Sequence, residues 1–474
     1  MLASPTGKAT VPERLSALDA QFLHLETPSV HMHVAGLAVL DPSSRPQGPP
    51  TLESIEQVVR DRIHLVPRFR QKIVPVPFGI ARPVWVDDPE FDLGFHLRRA
   101  ALPHPGGRAE LADYVQRVCS RPLDHSKSLW EMYLIEGLLD GFLGLLWKVH
   151  HAMIDGMSGI DIATVLLDFT PEGRAVEAQP WAPKPEPLPL DLLVSAVREQ
   201  IANPIRVGIE TLETVVRAPA AAAKQAQALA EGVASIVAAG NAPQSPFNRP
   251  VGPNRRFAMT EAPVCDFKEV KNALGGTVND VVLAIVAGSL HKFLTHRGIP
   301  TDASTTFRTM VPVSTRDDSH RMALGNRVSN IFVDLPVGPM APADRLKAIV
   351  QFTKDLKSSH QAIGASALMD IGTWAPPTLH ALAARLASRS RLINLVVSNV
   401  PGPQVPLYLD GARVLTTYPM MPLAERCALS IACTSLGDVM GFGITTDWDT
   451  LPDIDVLARG LQESLEELKK AARA

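Results

Sequence analysis

Residues 142–169 read FLGLLWKVHHAMIDGMSGIDIATVLLDF, and the order of apolar and turn-forming residues in this stretch decides the fold class. FLGLLWKV is an apolar run of strand length that ends on the adjacent pair His150 and His151. MIDGMSG then supplies the glycines and small polar side chains of a turn, and IDIATVLLDF returns to helical spacing. A strand that delivers two histidines to a turn and then gives way to a helix predicts α/β architecture, not an all-helical protein or a β-sandwich.

The same mixed order extends toward the N-terminus. LSALDAQFLHLE (15–26) reads as an amphipathic helix, and MHVAGLAVL (32–40) as a strand running into the DPSSRPQGPP turn. In TLESIEQVVRDRI, Leu52, Ile55, Val58, Val59 and Ile63 share one helical face, with Thr51 placed to cap it. KIVPV and PVWV follow as strand-like pieces, LADYVQRVCS (111–120) as a helix, and PLDHSKSLWEMYLIEGL (122–138) as the approach to the histidine strand.

Composition shifts after about residue 171. PEGRAVEAQPWAPKPEPLPLD is rich in proline, and AAAAKQAQALAEGVASIVAAG is rich in small helix-compatible residues without the bulk of an independent core. The chain therefore divides into an N-terminal unit (1–170), a Pro/Ala-rich connector with helical content (171–250) and a C-terminal unit (251–474). In the last unit RRFAMTEAPV, TTFRTMVPV, NRVSNIFVDLP, INLVVSNV and MGFGITTD read as strands, and DFKEVKNAL and VNDVVLAIVAGSLHKFL as helices. Its final helix presents Ile454, Leu457, Leu461, Leu465 and Leu468 on one face after the acidic start DID.

Bulk properties exclude several classes. With 474 residues, 46% hydrophobic and 20% charged, the chain has ample material for a core. A net charge of −3, from 46 Lys+Arg against 49 Asp+Glu, provides no cationic excess for a nucleic-acid backbone. Cys119, Cys265, Cys427 and Cys433 form neither a disulfide framework nor CxxC, which fits a reducing compartment. The opening residues lack a signal-peptide apolar run, and VVLAIVAG passes into polar and basic residues at His291 and Lys292 instead of continuing as a membrane span.

HHAMIDG (150–156) is the strongest chemical grouping. A turn at a strand end can hold an imidazole at a cavity edge, where neutral His151 takes a proton from an attacking alcohol and returns it to the departing group. Asp155 beside Gly156 suggests a tight loop clamped by a carboxylate-to-arginine bond, with Arg316 after VPVST as the testable partner. Adjacent histidines on an extended segment point in opposite directions and no HExxH completes them, so no metal is expected. Ser158 lacks a GxSxG elbow, which favours direct transfer over an acyl-serine intermediate. In GGTVNDVV, Asn279 can stabilise a tetrahedral oxyanion, and Asp280 can cap the helix or brace the channel. Pro122 fixes a turn dihedral, Leu123 and Leu129 offer packing surface, Trp130 can line an apolar groove and Asp124 can anchor the loop, so the stretch reads as a structural loop or a substrate wall, and YPMMPLAE (418–425) reads as core or lid.

LSALDAQFLHLETPSVHMHVAG, PLDHSKSLWE, VHHAMIDGMSG, NDVVLA, GNRVSNIFVDLP and SNVPGP together resemble the bacterial wax ester synthase/diacylglycerol acyltransferase family over nearly the whole chain. HHxxxDG alone is shared with a wider superfamily of acyltransferases and condensation domains; SKSLWE stands where RPLWE is more usual. The resemblance implies two chloramphenicol-acetyltransferase-like subdomains with mixed sheets around a central substrate tunnel. It implies His151 as general base, aided by Asn279, with His150, Asp155, Gly156 and Asp280 as structural support and Pro122, Leu123 and Trp130 along the channel. The substrates it implies are long-chain acyl-CoA and either diacylglycerol or a long-chain alcohol. Acyl-CoA is consumed as substrate, so no cofactor is expected. The expected setting is cytoplasmic, with peripheral contact to the inner membrane or lipid droplets. A condensation-type or small-molecule acyltransferase and an inactive lipid-binding protein are the alternatives.

Overall fold

The computed structural model describes residues 12–153, 166–199, 240–314, 328–358 and 391–474. In its first half the strands are β1 (His33–Asp41), β2 (Gln71–Val74), β3 (Val84–Asp87), β4 (Leu97–Ala101), β5 (Trp130–Glu136) and β6 (Leu143–His150). The second half contributes β7 (Arg255–Pro263), β8 (Thr306–Ser314), β9 (Val328–Pro336), β10 (Leu395–Val400), β11 (Tyr408–Leu409), β12 (Ala412–Met420), β13 (Leu429–Leu436) and β14 (Val439–Asp447). They form two six-stranded sheets, ordered β11-β12-β1-β6-β5-β4 and β7-β14-β13-β10-β8-β9, and a small β2-β3 pair. Both large sheets are mixed: β4 runs parallel to β5, and β10 parallel to β8 and β13, while the other pairings are antiparallel.

Alternation along β1 explains how the first sheet is covered on both sides. Ala38 and Leu40 face a core that includes Ile55 and Val59 of the helix Leu52–Arg62, which starts in a capping box between Thr51 and Ser54. Ala35 and Leu37 face the opposite way, into a core with Leu111, Val115 and Val118 of the helix Arg108–Cys119. Phe257 and Met259 of β7 enter that second core, so it joins the two halves of the molecule.

Strand pairing crosses the sequence division at residue 251 in the first sheet, where Asp168 also bridges Tyr408. β11 and β12 come from the C-terminal half but extend the first sheet, with Ala35 opposite Met420 and Asp41 opposite Arg413. β12 also lies close against β14: a Cβ on Gly441 would stand 2.2 Å from the Thr417 carbonyl oxygen, and one on Gly443 2.0 Å from that of Pro419. Glycine is what allows two backbones from different sheets to approach this closely.

The second sheet is covered by the helices Val264–Leu274, Val278–His296, Pro342–Ser358 and Ile454–Arg473. Val278–His296 is long and apolar enough to cross a membrane, but Val281–Leu290, Phe293 and Leu294 are buried in the protein core. It packs on Ile454–Arg473 through small residues, with Ser289 Oγ donating to the Leu457 carbonyl at 2.7 Å. All five apolar positions read on one face of the last helix are buried.

Candidate active site

β1 and β6 pair antiparallel with His33 opposite His150, so the histidine pair meets the start of β1. His150 is the last residue of β6 and is 1% exposed; His151 opens the short helical turn His151–Met153 and is half-buried. The His151 N–H donates to the Met32 carbonyl at 2.7 Å, and its imidazole stacks on Phe22, with ring centroids 3.9 Å apart. Phe22 belongs to the helix Ala17–Leu25, whose start is capped by Ser16 and whose C-cap is Glu26.

Glu26 is the hub of this region. One carboxylate oxygen accepts the Met32 N–H at 2.9 Å and lies 3.2 Å from His150 Nε2; the other meets His125 Nε2 at 2.9 Å. Burial pushes the Glu26 carboxyl up, but His125, His150 and the Met32 N–H together outweigh burial and hold it well below the usual carboxylate range. Bonding to Glu26 raises the His125 imidazole in turn.

These three residues place possible metal-binding atoms within 4.8 Å of one another. The hydrogen bonding of His150 argues against that use. Its Nδ1 accepts the Ala152 N–H at 3.1 Å, so the ring proton resides on Nε2, the atom that faces Glu26 and would have to bind the ion. Histidines that bind metals through one nitrogen normally carry the proton on the other and donate it. The cluster is therefore a carboxylate held by the Met32 N–H between two histidines.

Around it lie buried cations. Lys148 is 1% exposed and bonds to the Arg121 carbonyl at 3.1 Å and Glu131 at 3.3 Å; burial lowers its pKa, partly opposed by Glu131. Arg255, at the start of β7, donates to the Ser29 carbonyl at 2.5 Å and the Gly252 carbonyl at 2.6 Å, and burial brings its pKa down to about 10. Burial, with Lys148 next, holds His33 well below its ordinary value, and its Nε2 bonds to the Cys119 carbonyl at 3.0 Å.

Several residues singled out in the sequence have other places. Trp130 is 1% exposed, stacked between Phe69 at 4.8 Å and His96 at 4.4 Å, with its N–H donated to the Phe69 carbonyl. Both ring faces and the polar atom are taken up by the core. Leu123 is buried in the same cluster, and Pro122 is exposed on the loop before it. Asp124 does anchor that loop, accepting from both the N–H and the Oγ of Ser126. In YPMMPLAE, Tyr418 and Met420 are buried at the end of β12.

Asn279 is the half-buried second residue of the helix Val278–His296, in the half that carries the second sheet. Asp280 forms a reciprocal capping box with Thr277 and accepts from Thr353 Oγ1 at 2.8 Å, which is a structural use of its carboxylate. Asp155, Gly156, Ser158 and Arg316 lie outside the described residues, and with them the expected clamp. Sequence reasoning missed Phe22, Glu26 and His125. The alternation in HMH (31–33), which puts His31 and His33 on one strand face, was the available signal that the start of β1 adjoins the histidine pair.

Two mixed-sheet halves, with paired histidines leaving a central strand of the first, define an acyltransferase of the chloramphenicol-acetyltransferase-like class. Residues 15–282 match the wax ester synthase/diacylglycerol acyltransferase catalytic domain, and residues 324–469 match the WS/DGAT C-terminal domain. The chain belongs to the wax ester synthase/diacylglycerol acyltransferase family. A Mycobacterium tuberculosis relative named for diacylglycerol O-acyltransferase activity is 35% identical over 469 residues, covering 96% of this chain and 90% of its own. Another from that species, similarly named, is 33% identical over 467 residues, covering 96% and 95%. The wax ester synthase/diacylglycerol acyltransferase of Marinobacter aquaeolei VT8 superposes with a TM-score of 0.68 at 28% identity, covering 97% of this chain and 100% of that one. The first condensation domain of the calcium-dependent antibiotic synthetase shares the fold, with a TM-score of 0.61 at 16% identity, covering 98% and 97%.

Proposed function

We propose that the protein transfers a long-chain fatty acyl group from coenzyme A to the free hydroxyl of diacylglycerol, and that it also accepts long-chain alcohols. The products are triacylglycerol and wax esters. The observation that carries this reading is the placement of His151, half-buried at the end of β6 with its backbone bonded to Met32 and its ring stacked on Phe22. A ring held in this way can accept a proton without first being ordered.

In the proposed reaction His151 removes the hydroxyl proton as the alcohol oxygen attacks the thioester carbonyl carbon. Asn279 donates to the oxyanion as the carbonyl bond opens, a contact that strengthens toward the transition state. Collapse breaks the carbon–sulfur bond, and the coenzyme A sulfur takes the proton from His151. Direct transfer needs no acyl-enzyme and no resident cofactor. The two halves are proposed to enclose the reacting groups in a tunnel. An apolar path for the chains fits peripheral contact with a membrane or lipid droplet from the cytoplasmic side.

The test offers radiolabelled long-chain acyl-CoA with diacylglycerol, with fatty alcohol and with no acceptor, and separates the products. His151→Ala is expected to lose on the order of 10²–10⁴-fold in turnover while remaining folded. Normal turnover by that variant would reject the assignment.

A further inference from the structure

We propose that Glu26 is the positioning residue of the reaction: its carboxylate fixes Met32 and His150, and through them the turn that carries His151. The inference rests on the reading of His151 as base and adds a residue to it.

Two routes run from this carboxylate to His151. Along the first, Glu26 accepts the Met32 N–H at 2.9 Å, while the Met32 carbonyl accepts the His151 N–H at 2.7 Å. A single residue of the approach to β1 is thus held from one side and holds the base from the other. Along the second, the Glu26 carboxylate stands 3.2 Å from His150 Nε2, outside hydrogen-bond geometry, and its negative charge favours the proton on that nitrogen. Nδ1 is then left with a lone pair, and it accepts the Ala152 N–H at 3.1 Å. That bond pins the second residue of the turn His151–Met153. If His150 changed tautomer, two N–H groups would face each other and the turn would open.

The helix that ends at Glu26 supplies a third restraint, because Phe22 on it stacks on the His151 ring. Glu26 at its C-cap ties that helix to Met32. His150 is 1% exposed and Glu26 17%, so water does not substitute readily for either partner. His125, on the far oxygen at 2.9 Å, is half exposed and orients the carboxylate without touching the turn.

Shape and charge make different predictions. Glu26→Gln keeps an oxygen toward Met32 and His150 and turns its amide toward His125, so the geometry survives the loss of charge. Glu26→Asp keeps the charge but falls one methylene short of spanning these partners. Glu26→Ala removes both. Displacing a reacting group by about 1 Å can cost about 100-fold, so we expect kcat to fall about 30- to 100-fold in Glu26→Ala and about tenfold in Glu26→Asp. Glu26→Gln should stay within about threefold, and KM for acyl-CoA within about twofold throughout. Nitrogen NMR of labelled histidine should show His150 as the Nε2–H tautomer in the wild type and Glu26→Gln, and as a mixture in Glu26→Ala. The proposal is overturned if Glu26→Ala keeps its kcat, if Glu26→Gln falls as far as Glu26→Ala, or if the tautomer does not respond. His151→Ala is assayed alongside: activity there rejects the base, whereas an inactive His151→Ala beside an unaffected Glu26→Ala rejects only the positioning role.

Discussion

Adding one carbon at Gly443 should push the two halves of the enzyme apart. A Cβ built there lies 2.0 Å from the Pro419 carbonyl oxygen and 3.2 Å from the Phe257 ring, whereas ordinary contact begins near 3.4 Å. The obstruction is backbone on a paired strand, which cannot swing aside as the end of a side chain would. Gly443→Ala must therefore move β12 or β14 by about 1.4 Å, the difference between 3.4 and 2.0 Å. Overpacking of well-ordered interiors costs about 1–3 kcal/mol, and a backbone obstruction belongs at the upper end. At about 2.1 cal/mol/K per residue, 474 residues give an unfolding entropy near 1 kcal/mol/K, so a loss of about 3 kcal/mol lowers Tm by about 3 °C if unfolding is cooperative. Calorimetry on Gly443→Ala beside Gly94→Ala is the assay, since a Cβ at Gly94 meets nothing closer than 3.4 Å. An unchanged Tm for Gly443→Ala, or an equal drop in both variants, would refute the reasoning.

Two further outcomes follow from the site. Asn279→Ala should lower kcat by about 10²-fold, in the range seen for a single oxyanion donor, with acyl-CoA affinity measured separately and little changed; unchanged turnover counts against the role. The unfolded His33 takes up a proton near pH 6.5 but the folded one only well below that value, so the unfolded chain binds more protons throughout that window. Stability should fall as the pH drops below about 6.5, with His31 and His96 adding the same sign, and His33→Gln should flatten that acid limb in melts between pH 7.5 and 5.5. His125, raised by Glu26, acts in the other window: its contribution is complete below pH 6.5 and is lost as the pH rises through its folded value.

Local composition carried much of the fold. The apolar run ending at His150 and the helical spacing of Ile454 to Leu468 are properties of neighbouring residues, and both elements stand where those patterns put them. β12 escaped because ARVLTTYPM carries a proline, which argues against a strand lying between β11 and β1. The histidine pair was legible as a motif. Its surroundings were not, because Glu26 and His125 reach His150 only through the pairing of β1 with β6 and the path of the loop before β5. The packing of Trp130 was illegible for a related reason: an indole beside the histidine strand suits a groove or a core equally well, and Phe69 and His96 reach its two faces only through the fold.

The contribution of β12 to the first sheet also sets an order of events during synthesis. β1 leaves the ribosome early and can pair with β6 soon afterwards, but its other edge has no partner until Ala412–Met420 has been made. About 370 residues separate the two strands, so at about 5–20 residues per second the edge stays open for roughly 20–70 s. Throughout that time the nascent chain presents an apolar strand able to pair with other chains. The late arrival of β12 thus leaves an early-made apolar edge to be protected until most of the chain has been synthesised.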